Sequence, residues 1–543
     1  MPTGGEIVVA ALAAQQVERV FCVPGESYLP ILAALDGSGI EVIVCRHEGA
    51  AAMAAEATGK LTGRPGVVLV TRGPGAANAM SGVHVAAQDS TPLVVLIGQV
   101  ATGMRHRDAF QEVDYGQLLG GMCKHVEEVT RTQRLPEAIS RAFHAAMSGR
   151  PGPVALALPE DVLSAMVDEV EVAQAAHVAR PAPAEEDMAA FMEMLAVSRR
   201  PLIIAGGSRW DEAARRRLMA VAEALQVPVA VSFRRQMLFD ALHPAYAGDV
   251  GLGINPALKE RIGQSDLLIL LGGRFSEVPS QGYSLLGIPE AHKALVHVHP
   301  GARELGRVYR PALAINATPG AFLAALERRR AVGAPERSAW VDAAHADYLA
   351  WSGEPPKTPG EVQMGEIVAW LREHAPKDAI ITNGAGNYAI WVHRFWRFRA
   401  WGSQLAPVSG SMGYGLPAAL AARLAHPQRM VICFAGDGCF QMTMADFATA
   451  VRYGAKIIVL VVDNGQYGTI RMHQLRRFPD KDCATGLANP DFAAYARACG
   501  GMGLRVETTE AFAPAFAAAE KADVPALVHI KTDPRALGPG IEG

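Results

Sequence analysis

At 543 residues the chain is too long for one hydrophobic core, and its length points to three or four domains. Hydrophobic residues make up 50% and charged residues 19%, which excludes a disordered chain; a net charge of −3 gives no electrostatic case for nucleic acid or an anionic membrane. The sequence has no cationic-then-apolar leader, no apolar run of transmembrane length, and cysteines without CxxC or metal spacing, so a cytoplasmic protein with reduced thiols is expected.

The first segment, Thr3 to about Asp168, alternates apolar runs of strand length (Arg19–Val23, Glu41–Cys45, Val67–Thr71, Leu93–Gly98, Val154–Leu158) with helical spacing. This is the pattern of a parallel α/β sheet. Glu48 opens an alanine-rich helix that stops at Gly63. Alanine permits close packing, so Glu48 is expected in a crowded, poorly hydrated place that disfavours its charged form. A carboxylate favoured by the helix dipole is the commoner case for such a residue taken alone and needs no function. Thr71–Asn78 (TRGPGAAN) then joins a strand to a helix through two glycines and a proline, which plain turn chemistry also explains.

Ala173–Glu186, rich in alanine, proline and charge, reads as a linker. The middle segment carries PLIIAGG at Pro201–Gly207, DLLILLGG at Asp266–Gly273 and ALVHVHP at Ala294–Pro300. A Rossmann-like domain is expected, but neither glycine pair completes GxGxxG, and a structural spacer reads as well. A second linker, Trp351–Gly360, leads to the last segment. The expected domains are 1–170, 187–332 and 358–535, each an open, mostly parallel α/β sheet flanked by helices. The first and last look like two copies of one plan.

In the last segment, Ile380–Tyr388 and Ser409–Pro417 are strand-to-glycine turns. A strand at Met430–Phe434 then runs into Gly436-Asp437-Gly438, helical spacing follows over Gln441–Tyr453, and a second strand, Ile457–Val462, ends at Asp463-Asn464-Gly465. This is one βαβ unit, with Asp437 and Asn464 just past the carboxyl ends of its strands, where ligands sit in open α/β sheets. A carboxylate, an amide oxygen and a backbone carbonyl such as that of Gln466 are hard oxygen ligands that suit Mg²⁺ shared with phosphate. A helix starting after Gly438 offers amides and dipole to the same phosphate. Two ordinary turns are the alternative, against which their crossover spacing argues. No HExxH, GxSxG or His/Cys cluster occurs, and His47, His84 and His473 read as packing residues.

The GDG…DNG unit resembles the diphosphate anchor of thiamine diphosphate (ThDP) enzymes. With RHE…TRGPGAAN, DSTPLVVLIGQV, DAFQEVD, CKH and SGSMGYGLPAA, the chain resembles the acetolactate synthase-like members of that superfamily. The resemblance implies that a 2-oxo acid is decarboxylated and the resulting acyl-anion equivalent is transferred to a second carbonyl. It implies cofactor contacts from Glu48, Pro74 and Asn78 in the first domain. In the last domain it implies them from Gly384, Gly386, Asn387, Gly410, Met412, Gly436, Asp437, Gly438, Cys439, Asn464, Gln466, Tyr467, Gly468 and Thr469. Asp437, Asn464 and Gln466 would hold Mg²⁺, Glu48 would share a proton with the aminopyrimidine, and Met412, otherwise a gap filler, would prop the cofactor bent. Phe110, Gln111 and Lys124 would surround the substrate end. The resemblance further implies a homodimer or homotetramer with sites at the chain interface, an interface the alanine-rich helix could supply.

The pattern also departs from authentic acetolactate synthases. Ser276-Glu277-Val278 follows GGRF where two aspartates and an acceptor-selecting arginine are usual. No tryptophan follows NGQYGT, and VHVHP, with His299, stands where a VHIDIDP-like run contacts flavin. With Phe233, Arg234 and Arg235 in SFRRQ, these changes lead to the expectation of no tightly held FAD and poor acetolactate synthesis. The other readings are a simple non-oxidative 2-oxo acid decarboxylase, a flavin-dependent oxidase of pyruvate type, and a non-catalytic homologue, against which Glu48 argues.

Overall fold

The computed structural model describes residues 1–168, 170–329 and 336–542; the expected end of the middle domain at 332 lies outside them. Eighteen strands form three parallel sheets. The first holds β1 (Arg19–Cys22), β2 (Glu41–Val44), β3 (Gly66–Val70), β4 (Leu93–Gln99), β5 (His125–Glu128) and β6 (Pro153–Pro159), in the order 2-1-3-4-6-5. The middle sheet holds β7 (Pro201–Ala205), β8 (Val229–Ser232), β9 (Tyr246–Val250), β10 (Leu267–Leu271), β11 (Ala294–Val298) and β12 (Leu313–Ile315), ordered 12-11-10-7-8-9. The last holds β13 (Ile380–Asn383), β14 (Gln404–Leu405), β15 (Val431–Gly436), β16 (Ile458–Asp463), β17 (Met502–Val506) and β18 (Ala526–Lys531), ordered 14-13-15-16-18-17. Helices cover both faces of such sheets, so their inner strands are continuous apolar runs such as LVVLIGQ in β4 and LLILL in β10. Among the described residues no helix is long and apolar enough to cross a membrane.

The first and last sheets repeat one strand order, so equivalent strand ends carry equivalent turns. Glu48 follows β2, and the turn bearing Met412 follows its counterpart β14; the Pro74 turn follows β3, and Asp437 follows its counterpart β15.

These two domains share one core. The helix Glu48–Thr62 packs against Pro74–Asp89 and against Gly415–Ala425, and Ala51–Ala57 join Leu416–Ala422 and Phe447 in a single buried cluster. Small side chains set the spacing: a Cβ on Gly82 would stand 2.4 Å from that of Ala52. The alanine-rich helix is therefore not an apolar face kept for a second subunit. Its alanines from Ala50 to Ala57 are all buried within the chain, because a stripe this narrow fits best between two further helices.

A buried polar cluster pins the three domains together. Glu56 accepts from Tyr414 and from Thr91, each at 2.6 Å, and lies 3.1 Å from Lys60 Nζ. Lys60 also donates to Asp89 at 2.6 Å. Arg235 of the middle domain donates to the Asp89 and Gly207 carbonyls, each at 3.0 Å. Buried groups so matched specify geometry more than they add stability.

The helix expected over Gln441–Tyr453 is instead broken into Asp437–Gln441, a 3₁₀ turn at Met444–Asp446, and Phe447–Arg452. Asp446 explains the break: it accepts the Arg46 amide at 2.9 Å and the Thr449 hydroxyl at 2.8 Å, turning the chain toward the first domain. The glycine pairs of the middle domain have a packing cause. Gly207 is left-handed, at φ 71°, and a Cβ there would fall 1.8 Å from the Gly272 carbonyl, so the two turns meet backbone to backbone.

Candidate active site

Four neighbouring strands, β14, β13, β15 and β16, aim their carboxyl-end turns at one cavity of about 230 Å³. Its wall is Gly386 and Asn387 after β13, Gly410 and Met412 after β14, Gly436, Asp437, Gly438 and Cys439 at β15, and Asn464 with Gln466–Thr469 after β16. Gly384 lies just behind, where a Cβ would come within 2.5 Å of Cys439 Sγ. The Tyr467 ring roofs the turn, since a Cβ on Gly438 would sit 2.6 Å from it. Thr469 donates to Asn387 at 2.9 Å, tying the far walls.

Asp437 is 3% exposed and accepts from Gly465 N–H at 3.0 Å and Asn489 Nδ2 at 2.7 Å. Burial, with Asp463 close by, pushes its carboxyl up to about 6. Asn489 donates its second hydrogen to Asp463 at 2.8 Å and so separates the two acids. Burial opposes charge on Asp463 as well, but bonds from His529 at 2.7 Å and Lys531 at 2.8 Å outweigh it and hold this carboxyl well below its ordinary range. Asn489 was not legible: it sits in an irregular ANPD stretch whose only signal is the helix start at Asp491.

Among the described residues no group of three His, Cys, Asp or Glu could hold a metal. The donor set at Asp437 is of another kind: one carboxylate, the Asn464 amide oxygen and the Gln466 carbonyl. That carbonyl accepts the Gly468 N–H at 2.9 Å and keeps a second lone pair, while the Gln466 side chain turns away to the Pro534 carbonyl. So few protein oxygens suit a small hard cation that completes its shell with phosphate and water. The set fits Mg²⁺ with a diphosphate.

The first domain builds a separate group. Glu48 is buried at the start of its helix; Asn78 donates to its Oε2 at 3.0 Å, and Oε1 lies beside Gly75, where a Cβ would be 3.4 Å away. Pro74 starts the next helix after Gly73, whose backbone, at φ 57°, abuts Gln111. Phe110 is 77% exposed. Glu48 is not among the residues lining the Asp437 cavity. Lys124 joins neither group. It precedes β5, at the amino edge of a parallel sheet whose carboxyl edge carries Glu48 and Gln111, and its ammonium caps the Ala145 and Ser148 carbonyls at 2.5 and 2.6 Å. What the sequence reading missed beside Phe110 is Arg72, which donates to the Phe110 carbonyl at 3.2 Å and is ion-paired with Glu160.

Three family models tile the chain: the thiamine pyrophosphate enzyme N-terminal binding domain over 2–118, the central domain over 188–326, and the C-terminal binding domain over 384–530. The chain is similar to the acetolactate synthase isozyme 2 large subunit of Escherichia coli, 30% identical over 98% of this chain and 95% of that one. The chain belongs to the acetolactate synthase-like thiamine pyrophosphate enzymes. The isozyme 1 large subunit of Escherichia coli is 31% identical over 98% of this chain and 94% of its own length. The acetolactate synthase large subunit of Parasynechococcus marenigrum is 30% identical over 97% and 87%. This enzyme thus carries both thiamine-binding domains of a ThDP-dependent enzyme.

In the middle domain of this enzyme the cations at the strand ends are engaged by the chain itself. Arg234 bonds the Pro407 carbonyl, and Arg274 bonds that of Gln88 at 2.6 Å. Burial, followed by the neighbouring His297, pushes His299 down to about 4, so the ring is neutral at pH 7.

Proposed function

We propose that this enzyme is a Mg²⁺- and ThDP-dependent 2-oxo acid carboligase that passes the acyl group to an uncharged acceptor such as an aldehyde, works in the cytoplasm, and assembles as a homodimer or homotetramer. The cavity that gathers Asp437, Asn464, Gln466 and Met412 at four adjacent strand ends carries this reading. Asp437 and Asn464 would hold the cation with the Gln466 carbonyl, and the Gly436–Gly438 turn would take the diphosphate. ThDP, when bound, supplies a carbon nucleophile for the 2-oxo acid and accepts the electron pair left by carbon dioxide.

The rest is the work of side chains. Glu48 would exchange a proton with the aminopyrimidine through Oε1, which has no hydrogen-bond partner among the described residues, while Asn78 fixes Oε2. Met412 would support the bent cofactor from below. Because Glu48 stands outside the Asp437 cavity, the reading pairs Glu48 of one chain with Asp437 of another. Val278 offers no bidentate partner to a carboxylate, the interaction arginine makes best. Arg72 is already matched by Glu160. Both facts favour an acceptor without charge. The test is a panel of 2-oxo acids, with and without aldehydes, given to protein with ThDP and Mg²⁺ and read by mass spectrometry. Hydroxyketone products support carboligation to an aldehyde. Free aldehyde alone would make the enzyme a simple decarboxylase, and fast acetolactate formation from pyruvate would refute the acceptor assignment.

A further inference from the structure

A second cavity, about 700 Å³, does not have Asp437 in its wall and plays no part in the reaction proposed above. It lies where the ends of the helices Glu48–Thr62 and Pro74–Asp89 meet the linker at 175–180 and the turn after β7. The strand-end turns at 273–278 and His299 do not contribute to it.

Its wall has two characters. The cavity is cationic: Lys60, Arg64, Arg180, Arg209, Arg217 and Arg235 line it, against the single carboxylate of Asp211. Lys60 and Arg235 are compensated by Asp89, and Arg217 by Glu327. Arg64 and Arg209 have no carboxylate partner among the described residues, and Arg180 has only the half-exposed Asp211. Among the described residues Arg64 donates only to the Gln16 amide oxygen and the Gln15 carbonyl, and Arg209 only to the Met147 carbonyl at 3.1 Å. Arg180 stands 4.0 Å from Asp211, which is already the helix cap that accepts the Ala214 amide at 2.7 Å. Burial, and then the charge of Arg180, lower the guanidinium of Arg209 from its ordinary value. Arg209 also has φ 65°, a backbone conformation that a bulky residue adopts under strain. Apolar side chains in the same wall are Phe143, Met147, Trp210, Met237, Leu238 and Trp401.

We propose that this cavity binds an organic phosphate, its phosphate groups on Arg64, Arg180 and Arg209 and its apolar or flat body against Trp210 and Trp401. The volume lies in the range of small-molecule sites. A concave wall of one sign concentrates counter-ions. Planar guanidinium groups match phosphate oxygens two at a time, which a single carboxylate ligand could not satisfy for three arginines. The sources of such a ligand, a nucleotide or a sugar phosphate, share this chemistry and differ in the body that meets the tryptophans.

The experiment uses the full-length enzyme saturated with ThDP and Mg²⁺, so that the diphosphate turn is occupied, and isothermal titration with inorganic phosphate, pyrophosphate, glucose 6-phosphate, adenosine diphosphate and adenosine. The expected result is one site per chain for an organic phosphate, at least about tenfold tighter than inorganic phosphate. Arg209→Ala and Arg64→Ala should each weaken it about tenfold or more while leaving ThDP affinity unchanged. A nucleotide preference or a sugar phosphate preference names the source. The proposal is overturned if no organic phosphate binds at one per chain, if inorganic phosphate binds equally well, or if both variants bind as the wild type does. It is equally overturned if Arg209→Ala changes the oligomeric state in light scattering rather than the affinity, since the cavity would then be an interface.

Discussion

Glu48→Gln separates cofactor binding from proton transfer. In the wild type Asn78 Nδ2 donates to Glu48 Oε2 at 3.0 Å, and Oε1 stands against Gly75 with room to spare. The amide of the variant has one favourable orientation: its oxygen takes the place of Oε2 and keeps the Asn78 bond, and its nitrogen takes the place of Oε1. The opposite flip would set two NH₂ groups against each other and leave donors unmatched, a loss of about 1–3 kcal/mol. ThDP should therefore bind within about tenfold of wild type. Proton exchange should not survive, because an amide nitrogen neither accepts nor returns a proton at neutral pH; positioned acid–base groups are worth about 10²–10⁴-fold. The assay is quenched-flow deuterium exchange of the thiazolium proton, read by NMR, beside calorimetry of ThDP with Mg²⁺. Asn78→Ala, which frees the carboxylate without removing it, should lose much less. Wild-type exchange in Glu48→Gln would refute the role of Glu48 and leave it a helix-start carboxylate.

Further outcomes are expected. Asp437→Ala should abolish Mg²⁺-dependent ThDP binding in calorimetry, since the remaining donors are neutral oxygens. Mixed Glu48→Gln and Asp437→Ala chains, each inactive alone, should regain activity on subunit exchange if sites form between chains; a monomer in light scattering would contradict this. Tyr414→Phe removes a bond to the buried Glu56 carboxylate and should weaken the junction of the first and last domains by about 1.5–3 kcal/mol, seen as faster hydrogen exchange in the helix Glu48–Thr62 with ThDP affinity unchanged. The purified enzyme should be colourless, because Arg234, Arg235 and Arg274 are already bonded to backbone carbonyls; a flavin absorbance band would show otherwise.

The inner strands of the sheets were legible because parallel strands buried on both faces must be apolar throughout, as in VICFAG of β15 and IVLVVD of β16. The edge strand β5 was not: HVEE is half exposed along its length and lacks that signature. The turns around Asp437 and Asn464 were legible because glycines at strand ends have few other uses. Asn489 was not, because its importance comes from standing between two carboxylates brought together by the fold. Lys124 was misplaced for a related reason. Its motif gives the residue type but not the sheet edge, and only strand direction shows that it lies at the amino end. The destination of the alanine-rich helix was also hidden, since a narrow apolar stripe does not say whether its partner is in the same chain.

The layer of small side chains between the first and last sheets decides how this chain comes apart. The middle domain keeps its two apolar clusters almost wholly to itself. The outer domains do not: cutting in the linker near Gly360 would leave Leu416, Leu420 and the alanines around them bare to water. The units that open cooperatively are therefore out of step with the order of the polypeptide, one block made of its two ends and another of its centre. A fragment beginning at the second linker should aggregate, whereas residues 187–350 should stand alone. During synthesis the first domain must wait, with its alanine helix half covered, until the last has left the ribosome.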